Sequence, residues 1–531
     1  MTVTEASTTA NRQIARAAGT VMAAFFLSNL TGLVRQILVT NAFGTTGVID
    51  AYNAASTYPD LIFSLVAGGA LASAFVPVLA GFLNNNDRRS AWFLSSAIGN
   101  LVFLLLTLIS LVSIPLAPQI VHNFLAPDFG PVQLALTVSL MRILLISPAI
   151  FGVSGLIMGI LNTHQVFIWP ALAPTMYWLG MIFGVLFLSP SMGIFGLAWG
   201  AVLGAVLHLL IQIPALVRLP ARRYFATLGL HFPAVREVAR LMGPRLLGVA
   251  IVQLNFVINT VLATGQPVGS LSAIKYAWAI MTMPQVVIAQ SIAIAALPTF
   301  SAQVARGELG HMRHSLAASL RGVLLLSIPA TFGMILLRQP VIVLLFQHGE
   351  FTAHSTDMVS WALLWYTVGL VGHSVVEIVA RAFYALHDTK TPVFIGATAM
   401  SLNLVFSVAF SALFTGLGWM PHGGLALANS LATFLEMAGL LVFMRRRLDG
   451  LEGRHILSGL AQASAATLVM SFGLWFWLQA TSSLPVWVTV IGGIGLGAFL
   501  YGLVVLALGV GEAKTLWGMM LRRVHSLSGR G

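Results

Sequence analysis

Residues 50–59 read DAYNAASTYP, and a blurred copy, KYAWAIMTMP, stands at 275–284. Two further pairs keep the same order. LNTHQVFIWPA at 161–171 is matched by YALHDTKTPV at 384–393, each with a histidine shortly before a proline that opens a helix. GLAWGAVL at 196–203 is matched by GLALANSL at 424–431. The offset is roughly 225 residues each time. One match could be chance; three in order at one offset mark an internal repeat, a common sign of transporter folds.

The medium of the repeat follows from composition. Of 531 residues, 58% are hydrophobic and only 8% charged, with a mean hydropathy of +0.92. A water-soluble chain of this length needs far more polar surface, so this is a polytopic membrane protein. A spanning helix takes about 20 apolar residues. Fourteen such segments can be read: 19–43, 57–83, 91–116, 133–161, 168–189, 193–217, 238–264, 273–299, 315–337, 357–385, 392–415, 423–444, 456–479 and 485–510. The first is too long for a signal-peptide core and is expected to stay. A further apolar run in QPVIVLLFQHGEFTAHSTD (339–357) is too short to cross and is placed at the membrane surface.

The repeat offset covers six spans, an even number, so the copies share one orientation. The expected fold is all-α, with two parallel six-helix lobes and two C-terminal helices. Residues 1–18 form an N-terminal segment, 19–223 the N-lobe, 224–447 the C-lobe, and 448–531 the last two spans and a tail.

The formal charge is +12 and the isoelectric point about 10.8. The basic residues lie between apolar segments, which argues for topology control rather than nucleic-acid binding. Arg12, Arg16, Arg88, Arg89, Arg218, Arg222, Arg223, Arg236, Arg240, Arg306, Arg313, Lys390, the 445–447 arginines, Arg522 and Arg523 fall on one side if both termini are cytoplasmic. The opposite loops carry almost no Lys or Arg. With no cysteine, disulfides and thiolate chemistry are excluded. No Walker A loop, H-E-x-x-H motif or nucleophile–base pair is present, so the chain reads as a transporter without covalent chemistry or cofactor.

A few polar residues lie inside apolar segments. Arg35, within SNLTGLVRQILVTNAFG (28–44), costs roughly 2.5–3.5 kcal/mol in a helix centre unless it faces a wet cavity or a partner. Its planar fork suits a pyrophosphate; the alternatives are snorkelling to the outer surface or capping carbonyls. Asp50 and Lys275 hold corresponding repeat positions and form either a gate or two solvated loop charges. Glu377 and Arg381, four apart, fit a local ion pair and are also candidates for an ion site, as is Glu436. Arg142 either adds cationic charge or meets lipid phosphate. Gln253, Asn255, Asn259 and Asn403 suit interhelical hydrogen bonding, with cavity lining or an ion site left open. His164 and His387 fall in turns, and Asp388 is expected to brace its turn before Pro392. Gly196, Gly200 and Gly204 share one helix face and favour close packing.

The stretches AFG…DAYNAA…P, GALASAFVPVLAGF (69–82), GILNTHQVFIWPALAPTMY (159–177), MGPRLLGVAIVQLNFVIN (242–259), LLFQHGEFTAHSTDM (344–358) and FYALHDTKTPV (383–393) resemble the MurJ (MviN) lipid II flippase family. That family belongs to the multidrug/oligosaccharidyl-lipid/polysaccharide exporter superfamily. The resemblance implies an alternating-access flippase in the bacterial cytoplasmic membrane, acting before peptidoglycan polymerisation. It would move the undecaprenyl-pyrophosphate-linked precursor to the outer leaflet, as a monomer whose partners are that lipid and the membrane, with possible dependence on the potential or a monovalent ion. The family's first span reads Ser-Arg-x-x-Gly-x-x-Arg-Asp. Here Arg35 keeps the second arginine, while Asn29 and Gln36 replace the first arginine and the acid. Phe63, Ala279 and Thr282 stand where the family carries two arginines and an acid. Arg35, Asn29, Gln36, Gln253 and Asn259 are therefore the substrate-site candidates by resemblance. Two other readings stay open: a cation-coupled exporter of small molecules or another lipid-linked glycan, and a non-transporting membrane partner protein.

Overall fold

The computed structural model describes residues 24–66 and 69–511. The expected positions Arg12, Arg16, Arg522 and Arg523 lie outside them. Among the described residues, every one of the fourteen expected segments is helical. Ten helices are individually long and apolar enough to cross a membrane, or eleven when Ala353–Val368 and Leu370–Ala385, bent by 45°, count as one span. The others miss that measure for local reasons. The first is described only from residue 24, the second is described as Gly47–Val66 and Gly69–Asn84, and Pro233–Thr264 opens on a charged turn that carries Arg236, Glu237 and Arg240.

The helices are α1 (24–43), α2 (Gly47–Val66), α3 (Gly69–Asn84), α4 (Arg88–Ile120), α5 (Pro131–Leu144), α6 (Ser147–Thr163), α7 (Ile168–Phe183), α8 (Ile194–Leu210) and α9 (Pro233–Thr264). They continue as α10 (Ser270–Gln285), α11 (Ser291–Ala305), α12 (Leu309–Phe346), α13 (Ala353–Val368), α14 (Leu370–Ala385), α15 (Lys390–Gly416), α16 (His422–Arg447), α17 (Gly453–Ala480) and α18 (Val486–Ala507). The run after residue 339, expected at the membrane surface, forms no separate element. It is instead the last two turns of α12, with Pro340 inside the helix and Ile342 and Phe346 buried. A proline costs one backbone bond, and burial of those two side chains outweighs it.

The repeat is written in the backbone. After α3, Asn86 has a φ of +57°, and the Asp87 N–H returns to the Phe82 carbonyl at 3.0 Å. After α11, Gly307 has a φ of +72°, and the Glu308 N–H returns to the Gln303 carbonyl at 2.9 Å. The same αL stop ends α6, with Gln165 at +60°, and α14, with His387 at +58°. There Val166 reaches Leu161 at 2.9 Å and Asp388 reaches Phe383 at 3.0 Å. The true register thus sets Gln165, not His164, opposite His387, and Pro170 opposite Pro392. As expected, Asp388 braces its turn: Oδ1 accepts from the Thr391 N–H at 3.0 Å and Oδ2 from its hydroxyl at 2.8 Å.

Two compact units emerge: residues through Ser272 with His348–Phe351, and residues 273–347 with 352 onward. In the first unit α7 and α8 touch backbone to backbone. A Cβ on Gly180 would lie 2.3 Å from the Gly204 Cα, and one on Gly184 would lie 2.6 Å from the Gly200 Cα. Lipid supplies no hydrophobic drive between helices, so small residues that let backbones meet hold such pairs. Elsewhere in this unit, Pro118 cannot donate to the Ile114 carbonyl. Arg142 Nε supplies that bond at 3.2 Å, so this side chain serves α4 itself.

The second unit packs around Phe300, Met312, Leu320, Ile378, Phe383 and Leu440. Here α17 is fastened to α12 by Arg321, only 7% exposed. Its guanidinium donates to the His455 carbonyl at 3.2 Å, Ser458 Oγ at 2.8 Å and Gln462 Oε1 at 2.7 Å.

Candidate functional site

Arg35 sits 11 residues into the described part of α1 and eight from its end, or about 12 Å from the nearer terminus at 1.5 Å per residue. It lines an open cavity of about 400 Å³ in the first unit, walled by α1, α2, α5, α6, α7 and α8. The guanidinium carbon lies 4.7 Å from the ring centroid of Trp178 on α7. Gly32, one turn earlier, makes room for that indole: a Cβ there would stand 3.3 Å from Trp178 Nε1. A cation over the Trp face gains about 2 kcal/mol when desolvated.

The rest of the wall sets polar groups among apolar ones such as Phe63, Leu144 and Met181. Tyr52, Asn53, Ser56 and Asp60 come from α2, Tyr177 from α7 and His208 from α8. Pro59 leaves the Ala55 carbonyl without its helical donor, and Asp60 follows it directly. Phe151 of α6 supports two of these groups edge-on, with ring centroids 5.1 Å from Tyr177 and 5.3 Å from His208. Behind the imidazole, Ser154 Oγ lies 2.7 Å from His208 Nδ1, and Gln212 Nε2 donates to that hydroxyl at 2.8 Å. The cavity therefore holds one guanidinium, one carboxylate and an imidazole in a low-dielectric surround, where charge-assisted bonds are at their strongest.

The sequence candidates distribute unevenly around it. Arg35 is in the cavity wall; Asn29 is exposed and Gln36 is 7% exposed, and neither lines it. On α9, Asn259 Nδ2 donates to Asn255 Oδ1 at 3.0 Å, an i,i+4 pair along one helix, and Gln253 is half-buried. Asp50 is 3% exposed, so it is no solvated loop charge. Its Oδ2 accepts from the Gly269 N–H at 2.6 Å, and its Oδ1 accepts from the Ser272 N–H at 2.8 Å and from the Ser272 hydroxyl. Lys275 belongs to the second unit. In that unit Arg381 Nη2 donates to Glu377 Oε1 at 2.7 Å, the local pair their spacing predicts. Asn403 is 1% exposed and accepts from Ser407 Oγ at 3.4 Å. Glu436 is half-buried on α16, and its Oε1 lies 3.3 Å from where a Cβ on Gly396 would stand.

Sequence reading missed Asp60, Tyr52, Tyr177, Trp178 and His208. An acid inside an apolar segment is a signal in itself, and Asp60 directly follows the repeated stretch, so it was findable. Trp178 and His208 carried no mark, because only the tertiary fold brings them to Arg35.

A sequence profile described as "Lipid II flippase MurJ" matches residues 39–492. A lipid II flippase MurJ of Burkholderia cenocepacia is 31% identical over 440 residues, covering 81% of this chain and 84% of its own. A probable lipid II flippase MurJ of Vibrio cholerae is 28% identical over 523 residues, covering 94% and 97%. Among solved structures, a lipid II flippase MurJ in an inward closed conformation superposes with a TM-score of 0.78 at 25% identity, covering 91% of this chain and 97% of that one. An inward-facing multidrug-resistance MATE transporter shares the fold, with a TM-score of 0.67 at 16% identity. A profile that runs through all but the ends of the chain, over a fold of the same helices, leaves one conclusion: the chain belongs to the lipid II flippase MurJ family.

Proposed function

We propose that the chain moves lipid II, the undecaprenyl-pyrophosphate-linked peptidoglycan precursor, from the inner to the outer leaflet by alternating access. Family membership carries this reading, and Arg35 in its cavity gives it chemistry. A guanidinium can hold a pyrophosphate through two parallel N–H bonds. A cavity of about 400 Å³ has small-ligand dimensions, so it accommodates the pyrophosphate and leaves the sugars and peptide outside it. The Trp178 face holds the guanidinium in one place, which lowers the ordering cost of binding. Asp60 in the same wall offsets the cationic charge, so the site releases an anion more readily than an all-arginine pocket would.

With both termini cytoplasmic, the arginine-rich loops face the cytoplasm and a multi-pass chain receives its substrate there. An inside-negative potential then favours outward movement of an anion by about 2.3 kcal/mol per charge per 100 mV across the full field. Coupling to that potential needs no resident cofactor.

The test is outer-leaflet lipid II in cells depleted of their own flippase. The intact chain restores it, and Arg35→Ala, inserted and expressed equally, does not. No rescue by the intact chain sinks the assignment; full rescue by Arg35→Ala sinks the role of the arginine alone.

A further inference from the structure

A second cavity lies on the far side of α6, away from the Arg35 site, with a volume of about 470 Å³. Its walls are α4 and α6, with Trp92 and Phe103 on one side and Val153, Ile157 and Ile160 on the other. Its mouth is built by the chain between α8 and α9, which contributes Arg222, Arg223 and Tyr224.

That connecting chain is fastened to α4. Asn100 Nδ2 donates to the carbonyls of Phe225 at 3.1 Å and Thr227 at 2.8 Å, and Asn100 Oδ1 accepts from the Tyr224 hydroxyl at 2.8 Å. The Phe225 N–H donates to Ser96 Oγ at 3.2 Å, and Phe225 packs on Phe93 at 5.5 Å. The two arginines just before these anchors are exposed, and no hydrogen bond or ion pair ties either one to the described protein. No acidic side chain lines the cavity. With its continuation to Leu125, α4 runs 38 residues, about 57 Å at 1.5 Å per residue, against a hydrocarbon core of about 30 Å. The helix therefore extends beyond the hydrocarbon core, and Trp92 and Tyr224 at its arginine-bearing end suit the membrane–water boundary.

We propose that this groove binds an anionic phospholipid of the leaflet that faces the arginine-rich loops. One acyl chain lies between α4 and α6, and the phosphate is held by Arg222 and Arg223. The volume suits a single chain rather than a whole lipid. The occupant is fixed by charge complementarity: an apolar slot whose only charged lining groups are two unpaired guanidiniums selects a molecule with an apolar tail and an anionic head.

Native mass spectrometry of the purified full-length protein, with phosphatidylglycerol or chain-matched phosphatidylcholine as probe, tests this. One phosphatidylglycerol should be retained in preference to phosphatidylcholine. Arg222→Ala with Arg223→Ala should weaken that retention roughly 30-fold, from about 1 kcal/mol per basic residue at an anionic surface. Arg445→Ala with Arg446→Ala, the same charge change elsewhere, should leave it intact. Val153→Trp, which fills the slot and keeps every charge, should abolish it. The arginine pair sits on exposed chain, so its arm reads out even if Val153→Trp fails to fold. Equal retention of the two lipids overturns the proposal, as does equal loss in both arginine pairs. Retention by folded Val153→Trp, or displacement by inorganic phosphate, makes this a bare anion site and also overturns it. Displacement by equimolar undecaprenyl phosphate would hand the groove to the transported lipid's tail and overturn it likewise.

Discussion

The Arg35 guanidinium lies 4.7 Å from the centroid of the Trp178 ring, a contact between the first helix of the unit and its seventh. If the indole orients the arginine for substrate, Trp178→Ala should lower lipid II transport by roughly tenfold or more, from a desolvated cation–π gain of about 2 kcal/mol. Trp178→Phe should recover part of the rate. Transport in flippase-depleted cells, at matched expression, measures this; an unchanged rate in Trp178→Ala would leave the contact structural only.

The α7–α8 pairing should be intolerant of a single methyl group. A Cβ on Gly200 would meet the Gly184 Cα at 2.7 Å. Gly200→Ala should therefore cost about 1–3 kcal/mol, the range for overpacking, and lower the melting temperature in detergent. Gly81→Ala, with nothing within 4 Å of the added carbon, is the matched control and should melt as the parent does.

Arg321 should matter to the seating of α17. Arg321→Leu leaves Ser458, Gln462 and the His455 carbonyl without the donors at 2.7 to 3.2 Å described above. Hydrogen bonds to a charged group contribute about 1.5–3 kcal/mol, so limited proteolysis should cut the 448–452 connection faster than in the parent.

A pH effect follows from Asp388. The Thr391 N–H holds its carboxyl below the ordinary value of 3.8, aided by the Thr391 hydroxyl and the nearby Arg447. A depressed folded value means the stabilisation is full above the unfolded value and is lost as pH falls through the folded one. The advantage of the parent over Asp388→Asn should be constant from pH 7 to about 5 and shrink below about 4. Melting temperatures across that window decide it; a constant gap down to pH 3 would deny the carboxylate its role.

Much of this fold was legible because lipid imposes simple rules. Apolar length picked out fourteen segments that are helical where described, and three paired stretches in order gave the duplication. The sequence register was one residue off at His164, because αL geometry, not the histidine, is what the copies share. The 339–346 run reads in the sequence as a separate piece because apolar length alone cannot tell a short helix from the end of a longer one. At the site, Arg35 announced itself as a charge in an apolar run. Its neighbours Trp178 and His208 are 143 and 173 residues away in sequence, and no spacing rule reaches that far.

The duplicated turns also carry history. Four helix ends keep a left-handed residue, and its identity has drifted: asparagine at 86, glycine at 307, glutamine at 165, histidine at 387. Only the glycine adopts that geometry without steric cost; each side-chain-bearing residue gives up about 1–2 kcal/mol to stay there. The path of the chain is thus the same in both halves while the residues that trace it differ. The two halves are legible as siblings by their bends more than by their spelling.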